Sequence, residues 1–153
     1  MRPACADPYA ARLIRGIHRA AEEGDALAAD SVLRVLVARL VERHARAVLE
    51  ERMAAPPTLE ALAAKLGTSP FALLKAFRKQ YGMPPHTWLT DARVRRARRL
   101  LDAGGTPADA AVAVGFTDQP HLNRHFTRIV GVPPGAYRRE RARTYKTGTH
   151  PAT

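Results

Sequence analysis

The chain repeats itself at an offset of 49 residues, and no other feature restricts its fold as much. At that displacement Leu73 falls on Leu122, Phe77 on Phe126, Gly82 on Gly131, Pro84 on Pro133, Pro85 on Pro134 and Trp88 on Tyr137. The shared pattern is Leu-x3-Phe-x4-Gly-x-Pro-Pro-x2-aromatic. Upstream the register slips by one, so that Ala63 and Gly67 match Ala111 and Gly115. A period of this length means two related supersecondary units within one small domain.

Each copy is punctuated as helix, short turn, helix. In the first, Thr58 caps a helix over 59–66 whose Leu59, Leu62, Ala63 and Leu66 share a face; Gly67 stops it, and Ser69-Pro70 opens the next. Small Ala63 lets the two helices cross closely. The second copy has a thinner, Ala-rich first helix over 107–114, a break at Gly115, Asp118 as cap and a second helix over 119–130. There Leu122, Phe126, Ile129 and Val130 fall on one side, leaving Gln119, His121, Asn123, Arg124 and Arg128 off it. A short helix, a Gly-containing turn and a second helix form the helix-turn-helix pattern. The fold class expected is all-α, two such units joined by a long linker helix and preceded by an N-terminal helical pair.

The remaining segments fit around these units. Asp7-Pro8 starts a helix with Leu13, Ile14, Ile17 and Ala21 on one face, ending near Gly24. A longer pattern from about Asp30 carries the stripe Leu33, Leu36, Val37, Leu40 and Val41. That stripe is covered either by folding back on the first helix or by a second subunit. From 45 to 53 the same run becomes the first helix of the motif-bearing part, until Pro56-Pro57 breaks it. Between the units, a helix over 85–102 buries Trp88, Leu89, Ala92, Ala97, Leu100 and Leu101, turns Arg95, Arg96 and Arg99 outward, and ends at Gly104-Gly105. A last short helix follows Pro133-Pro134. The organisation expected is a helical tail over 1–44, the two-unit domain over 45–143 and a disordered tail over 144–153.

Charge singles out the repeated part. Residues 56–153 carry 16 Lys or Arg against 6 Asp or Glu, whereas residues 1–55 carry 9 against 8. A basic helical domain has the electrostatic footprint of a nucleic-acid binder. The single cysteine, Cys5, excludes an internal disulfide framework and a Cys-rich zinc site. His121 and His125 have helical ligand spacing, but no Glu stands between them in the zincin position and no third ligand is evident, so neither metal nor cofactor is expected. No Ser-His-Asp, Cys-His or paired-carboxylate arrangement offers a catalytic site, and no enzyme activity is expected. The N-terminus lacks an apolar signal core and no run reaches the roughly 18 apolar residues of a membrane span, which points to the cytoplasm.

The stretch from about 58 to 139 resembles the DNA-binding domain of the AraC/XylS family of bacterial transcription regulators. Gly115-Phe116-x-Asp118-Gln119 and Gly131-x-Pro133-Pro134-x2-Tyr137 carry most of the likeness. The resemblance implies that the second helices of both units enter successive major grooves of double-stranded DNA, and that Phe71, Leu74 and Lys75 point into one of them. By their chemistry, Lys75 reaches guanine or phosphate while Phe71 and Leu74 offer apolar contact, unless they are ordinary packing residues. In the second unit Gln119, His121, Asn123 and Arg124 are the candidates for base edges. Thr68, Ser69 and Thr117 at helix N-termini, with Arg78, Lys79, Arg95, Arg96, Arg99 and Arg128, are the candidates for phosphate. The family's long members place a ligand-sensing barrel before this domain and end it with helices that often pair subunits. Residues 8–44 resemble those helices, and nothing before Asp7 could form the barrel. A fragment, a natural short form or an engineered piece all fit that absence. A second copy through 8–44 and RNA polymerase are the candidate protein partners. The alternative function is a nonspecific nucleoid or RNA-binding module.

Overall fold

Side-chain caps set the helix starts. Asp25, Thr58, Ser69, Thr106 and Asp118 each accept a hydrogen bond from the backbone N–H three residues on, at 2.9, 3.1, 3.1, 3.1 and 2.7 Å. Each bond satisfies a donor that the first helical turn leaves unpaired. The computed structural model describes residues 8–147, and its regular elements there are all helices. They are α1 (Pro8–Glu22), α2 (Ala26–Glu51), α3 (Leu59–Lys65), α4 (Pro70–Tyr81), α5 (Pro85–Asp102), α6 (Pro107–Val114), α7 (Gln119–Val130) and α8 (Pro134–Thr147). None of these helices is long and apolar enough to cross a membrane.

Two cores form, and α5 belongs to both. Trp88, Leu89 and Ala92 of α5 pack with Ala45, Val48 and Leu49 of α2, Leu62 and Ala63 of α3, and Leu73 and Phe77 of α4. One turn later, Val94, Ala97 and Leu101 pack with Ala110, Ala111 and Val114 of α6, Phe116, Leu122 and Phe126, and Tyr137 of α8. At about 100° per residue these two triplets lie on opposite sides of α5. Ala97, Ala111, Phe77 and Phe126 have no exposed surface; burying a Phe side chain contributes about 1.5–3 kcal/mol.

The repeat extends further than the motif alone. Phe77 meets Trp88 edge-on at 6.0 Å and 79°, and their equivalents Phe126 and Tyr137 meet at 5.6 Å and 67°. The preceding helices share the same offset: Ala45 and Val48 of α2 match Val94 and Ala97 of α5, all four buried. Each unit is therefore three helices, and α5 closes the first while opening the second.

The units are locked by contacts that the repeat does not contain. Arg93 donates from Nε and Nη2 to the Met53 carbonyl at 3.0 and 2.7 Å, with its guanidinium 5.7 Å from the Phe116 ring centre. Its burial lowers the guanidinium pKa. Gly115 has φ +84, and a Cβ there would stand 2.4 Å from Ala54 Cα, so two backbones meet where a side chain cannot fit. Its counterpart Gly67 has φ +63 and open space around it. At the far end the Tyr137 hydroxyl accepts from Arg98 Nε at 2.8 Å and Arg141 Nε at 3.2 Å and donates to Asp102 at 2.8 Å. That network fastens α8 to α5.

Several expectations need correction. The longer N-terminal helix begins at Ala26, capped by Asp25, and Asp30 lies inside it, paired with Arg34 at 2.7 Å. As expected, it passes through 44 and 45 without a break and supplies the first helix of the repeated part. The helix α1 packs back along α2 as a hairpin, yet Leu33, Val37 and Leu40 stay 48%, 50% and 52% exposed. Ile129, placed on the buried side of α7 by periodicity, is 41% exposed because Val130 and Tyr137 close the core at that end. In α5 Leu100 is only partly buried, and Val94, not anticipated, is buried instead. Helix α8 runs to Thr147, beyond the expected start of the tail; residues 1–7 and 148–153, with Cys5 and the rest of that tail, lie outside the described residues.

The two glycines should respond differently to one methyl group. Gly67→Ala is expected to cost about 1–2 kcal/mol, from its left-handed backbone alone. Gly115→Ala should cost a further 1–3 kcal/mol or so, because Ala54 must also move. Urea titration of both variants checks the difference, and equal losses would mean that the approach to Ala54 is not close.

Candidate nucleic-acid interface

The exposed face of α4 follows from what its other faces touch. Leu73 and Phe77 enter the first core, and the flank bearing Ala72, Ala76 and Lys79 lies along α2. Left over are Phe71, Lys75 and Arg78, all exposed, spaced four and three residues apart on one surface. Phe71 is 74% exposed, far from the packing role open to it in the sequence. Leu74 is turned away, half-buried beside Leu59, Pro85, His86 and Leu89. Lys79 also departs from the shared face: it borders a groove with α2 and lowers the pKa of Glu42. Glu42 is 5% exposed, and burial raises its pKa against Arg39 and Lys79.

Helix α7 presents the matching surface. Leu122 and Phe126 are fully buried, while Gln119, Arg124 and Arg128 are exposed. Arg124 stands at the repeat position of Lys75, so each second helix offers one exposed cation at the same place. His121 is half-buried, its ring 5.1 Å from Phe116 and 5.0 Å from His125. Asn123 is likewise half-buried, and its Oδ1 is shut away from solvent without a hydrogen-bond partner.

The helix starts are also repeated. Thr68 and Thr117 are equivalent, as are the caps Ser69 and Asp118. Thr117 is exposed, whereas Thr68 is half-buried in the cleft between α4 and α2. The Ser69 hydroxyl accepts the Ala72 N–H and keeps its own proton to donate. Prolines at 70 and 120 remove one first-turn N–H from each helix. Neither α4 nor α7 contains a carboxylate.

His125 has a role that its spacing alone did not reveal. Its ring stacks on Phe116 at 5.6 Å and 20°, and its Nδ1 lies 3.3 Å from Arg128 Nη2. Burial first, then Arg128, His121 and Arg124, lower its pKa below the ordinary 6.5, with Asp91 opposing. Among the described residues no cluster of three metal-ligating side chains occurs.

Arg95, Arg96 and Arg99 are exposed, the Arg95 guanidinium lying 5.9 Å from the Trp88 ring centre. They line a groove opposite Glu50 and Glu51, with Met53, Ala54, Ala92 and Ala113 of α6 between. Arg95 and Arg99 lie about 200° around α5 from Ala97 and Leu101, which face α7. Arg93 and Arg98, unmarked in the sequence, turn out to be structural.

A family model described as a helix-turn-helix domain matches residues 62–140. An uncharacterised helix-turn-helix transcriptional regulator of Bacillus subtilis, YbfI, is 40% identical over 74 residues, covering 48% of this chain and 27% of that protein. A putative AraC-like transcription regulator of Streptomyces lividans is 34% identical over 83 residues, 54% of this chain and 27% of that protein. The chain thus spans about a quarter of the length of the curated relatives it matches. The solved DNA-binding domain of the global transcriptional factor AdpA, in complex with a target DNA, is 32% identical. It superposes with a TM-score of 0.61 over 67% of this chain and 94% of that one.

The depressed His125 pKa fixes a pH dependence. As pH falls below about 6.5 the unfolded chain takes up the proton first, so folded stability falls until the lower folded pKa is passed. A side-chain NMR titration should place the His125 midpoint below 6.5, and His125→Asn should flatten that part of the stability profile; a midpoint above 6.5 would contradict it.

Proposed function

The chain belongs to the AraC-type helix-turn-helix family of DNA-binding transcription regulators, and we propose that it reads double-stranded DNA by laying α4 and α7 into successive major grooves. The observation that carries this is the repetition of an exposed cation, Lys75 and Arg124, at equivalent positions of two carboxylate-free helices held by one spacer. An 18-residue α5 spans about 27 Å, and recognition helices offset from its ends approach the ~34 Å of one duplex turn. The AdpA domain, solved with a target DNA, supports the same use of this fold.

The two units divide the work unequally. Arg124 suits the paired acceptors of guanine, and Gln119 suits adenine; His121 and Asn123 complete the polar set. On α4, Lys75 is the polar reader while Phe71 suits a thymine methyl. Leu74 is turned toward Pro85 and Leu89. Arg78, Arg128, Thr117 and the Ser69 hydroxyl are placed for phosphate, which positions the domain without reading sequence. RNA polymerase and a second copy of the chain, meeting the Leu33, Val37 and Leu40 stripe, are the protein partners of this proposal, and the cytoplasm is its place of action.

Selection of bound duplexes from a random pool should return two half-sites with centres about 10–10.5 base pairs apart. Arg124→Ala should relax preference at one base pair of the selected site and cost about 1–3 kcal/mol. By contrast, Arg128→Ala should weaken selected and random duplexes alike and reduce the salt slope by about one. If both variants shift selected and random DNA equally, base reading does not reside in α7 and a nonspecific nucleic-acid module is the better description.

A further inference from the structure

Comparing the two units separates surfaces that the duplication repeats from one that it does not. The exposed cation of the second helix and the threonine before it occur in both units. The strip Arg95, Arg96 and Arg99 does not: the same 49-residue offset lands on Arg46, Ala47 and Glu50. There Arg46 and Glu50 pair with each other at 3.4 Å, leaving that strip electrically neutral. Among the described residues Arg95, Arg96 and Arg99 form no salt bridge, Arg95 resting with its guanidinium 5.9 Å from the Trp88 ring centre, so the charge of this strip is not a feature of the duplication common to both units.

The surroundings of the strip favour a particular ligand chemistry. The groove encloses about 560 Å³, large enough for several residues of polypeptide. One wall is cationic, the floor is small and apolar at Ala54, Ala92 and Met53, and the opposite wall carries Glu50 and Glu51. A phosphate backbone spreads negative charge to both sides and meets those carboxylates. A peptide can place acidic side chains on one edge only and an apolar one between.

We infer that this groove docks an acidic segment of a protein partner, its carboxylates on Arg95, Arg96 and Arg99 and an apolar side chain over Met53 and Ala92. No residue of α4 or α7 lines the groove, so docking and DNA binding are compatible. The inference rests on the DNA-binding proposal only for that compatibility.

The test uses the intact chain and a fluorescein-labelled peptide of alternating Asp and Leu, with a Lys-for-Asp peptide as control. Fluorescence polarisation is read on the free chain and on the chain saturated with selected duplex. The acidic peptide is expected to bind both forms. Combined Arg95→Gln, Arg96→Gln and Arg99→Gln should weaken it about tenfold or more on the free chain. Combined Glu50→Lys and Glu51→Lys should strengthen it, with the helical circular dichroism of the chain retained. Displacement of the peptide by duplex, or undiminished binding by the Arg variant, would each overturn the assignment. If no duplex binds at all, the DNA proposal fails while the titration of the free chain still decides the groove.

Discussion

A helix with a different core on each side sets every distance in this domain. Because α5 gives Trp88, Leu89 and Ala92 to one unit and Val94, Ala97 and Leu101 to the other, neither unit can turn about it without opening a packed interior. Small residues at 92 and 97 bring the neighbouring helices close. Arg93 then ties the loop after α2 to Phe116 of the second unit. A charged donor to a carbonyl is worth about 1.5–3 kcal/mol, and losing it leaves a buried oxygen without a partner. Rigidity between the reading helices thus comes from packing at right angles to α5 as much as from α5 itself.

The repeated architecture was legible because punctuation and periodicity agree. Caps at Thr58, Ser69 and Asp118, glycine stops and the two Gly-x-Pro-Pro turns fixed α3, α4, α5 and α7 to within a residue. Contacts joining the units were not legible, since nothing local marks them. Gly115 looks like an ordinary helix stop, and only its approach to Ala54 shows why that position tolerates no side chain. Arg93 lies in a run of arginines where solvated and buried members look alike; its acceptor is 40 residues away. The start of α2 was misplaced because Asp30 resembles a cap as much as Asp25 does.

The interface was legible where a side chain has only one face to occupy. Phe71, Lys75 and Arg124 stand outside because every other side of their helices is taken. Leu74 and Asn123, equivalent in the repeat, were harder: each sits on the border of its helix's buried stripe, where the next element decides. In the first unit that element is the start of α5 at Pro85 and His86; in the second, the Asn123 oxygen is shut away from solvent. Lys79 is drawn toward Glu42 by a helix whose contact with α4 has no local signature.

The unbroken passage of α2 from the hairpin into the first core makes it a lever. From Ala26 to Ala45, its fulcrum in that core, the helix extends about 28 Å. A five-degree tilt at the fulcrum then swings the hairpin tip by roughly 2–3 Å, given the 1.5 Å rise per residue. Force applied at the tip arrives at α4 multiplied, through Ala76 and Lys79, while α7 has no such arm. Anything that grips the hairpin therefore reaches α4 through its contact with α2.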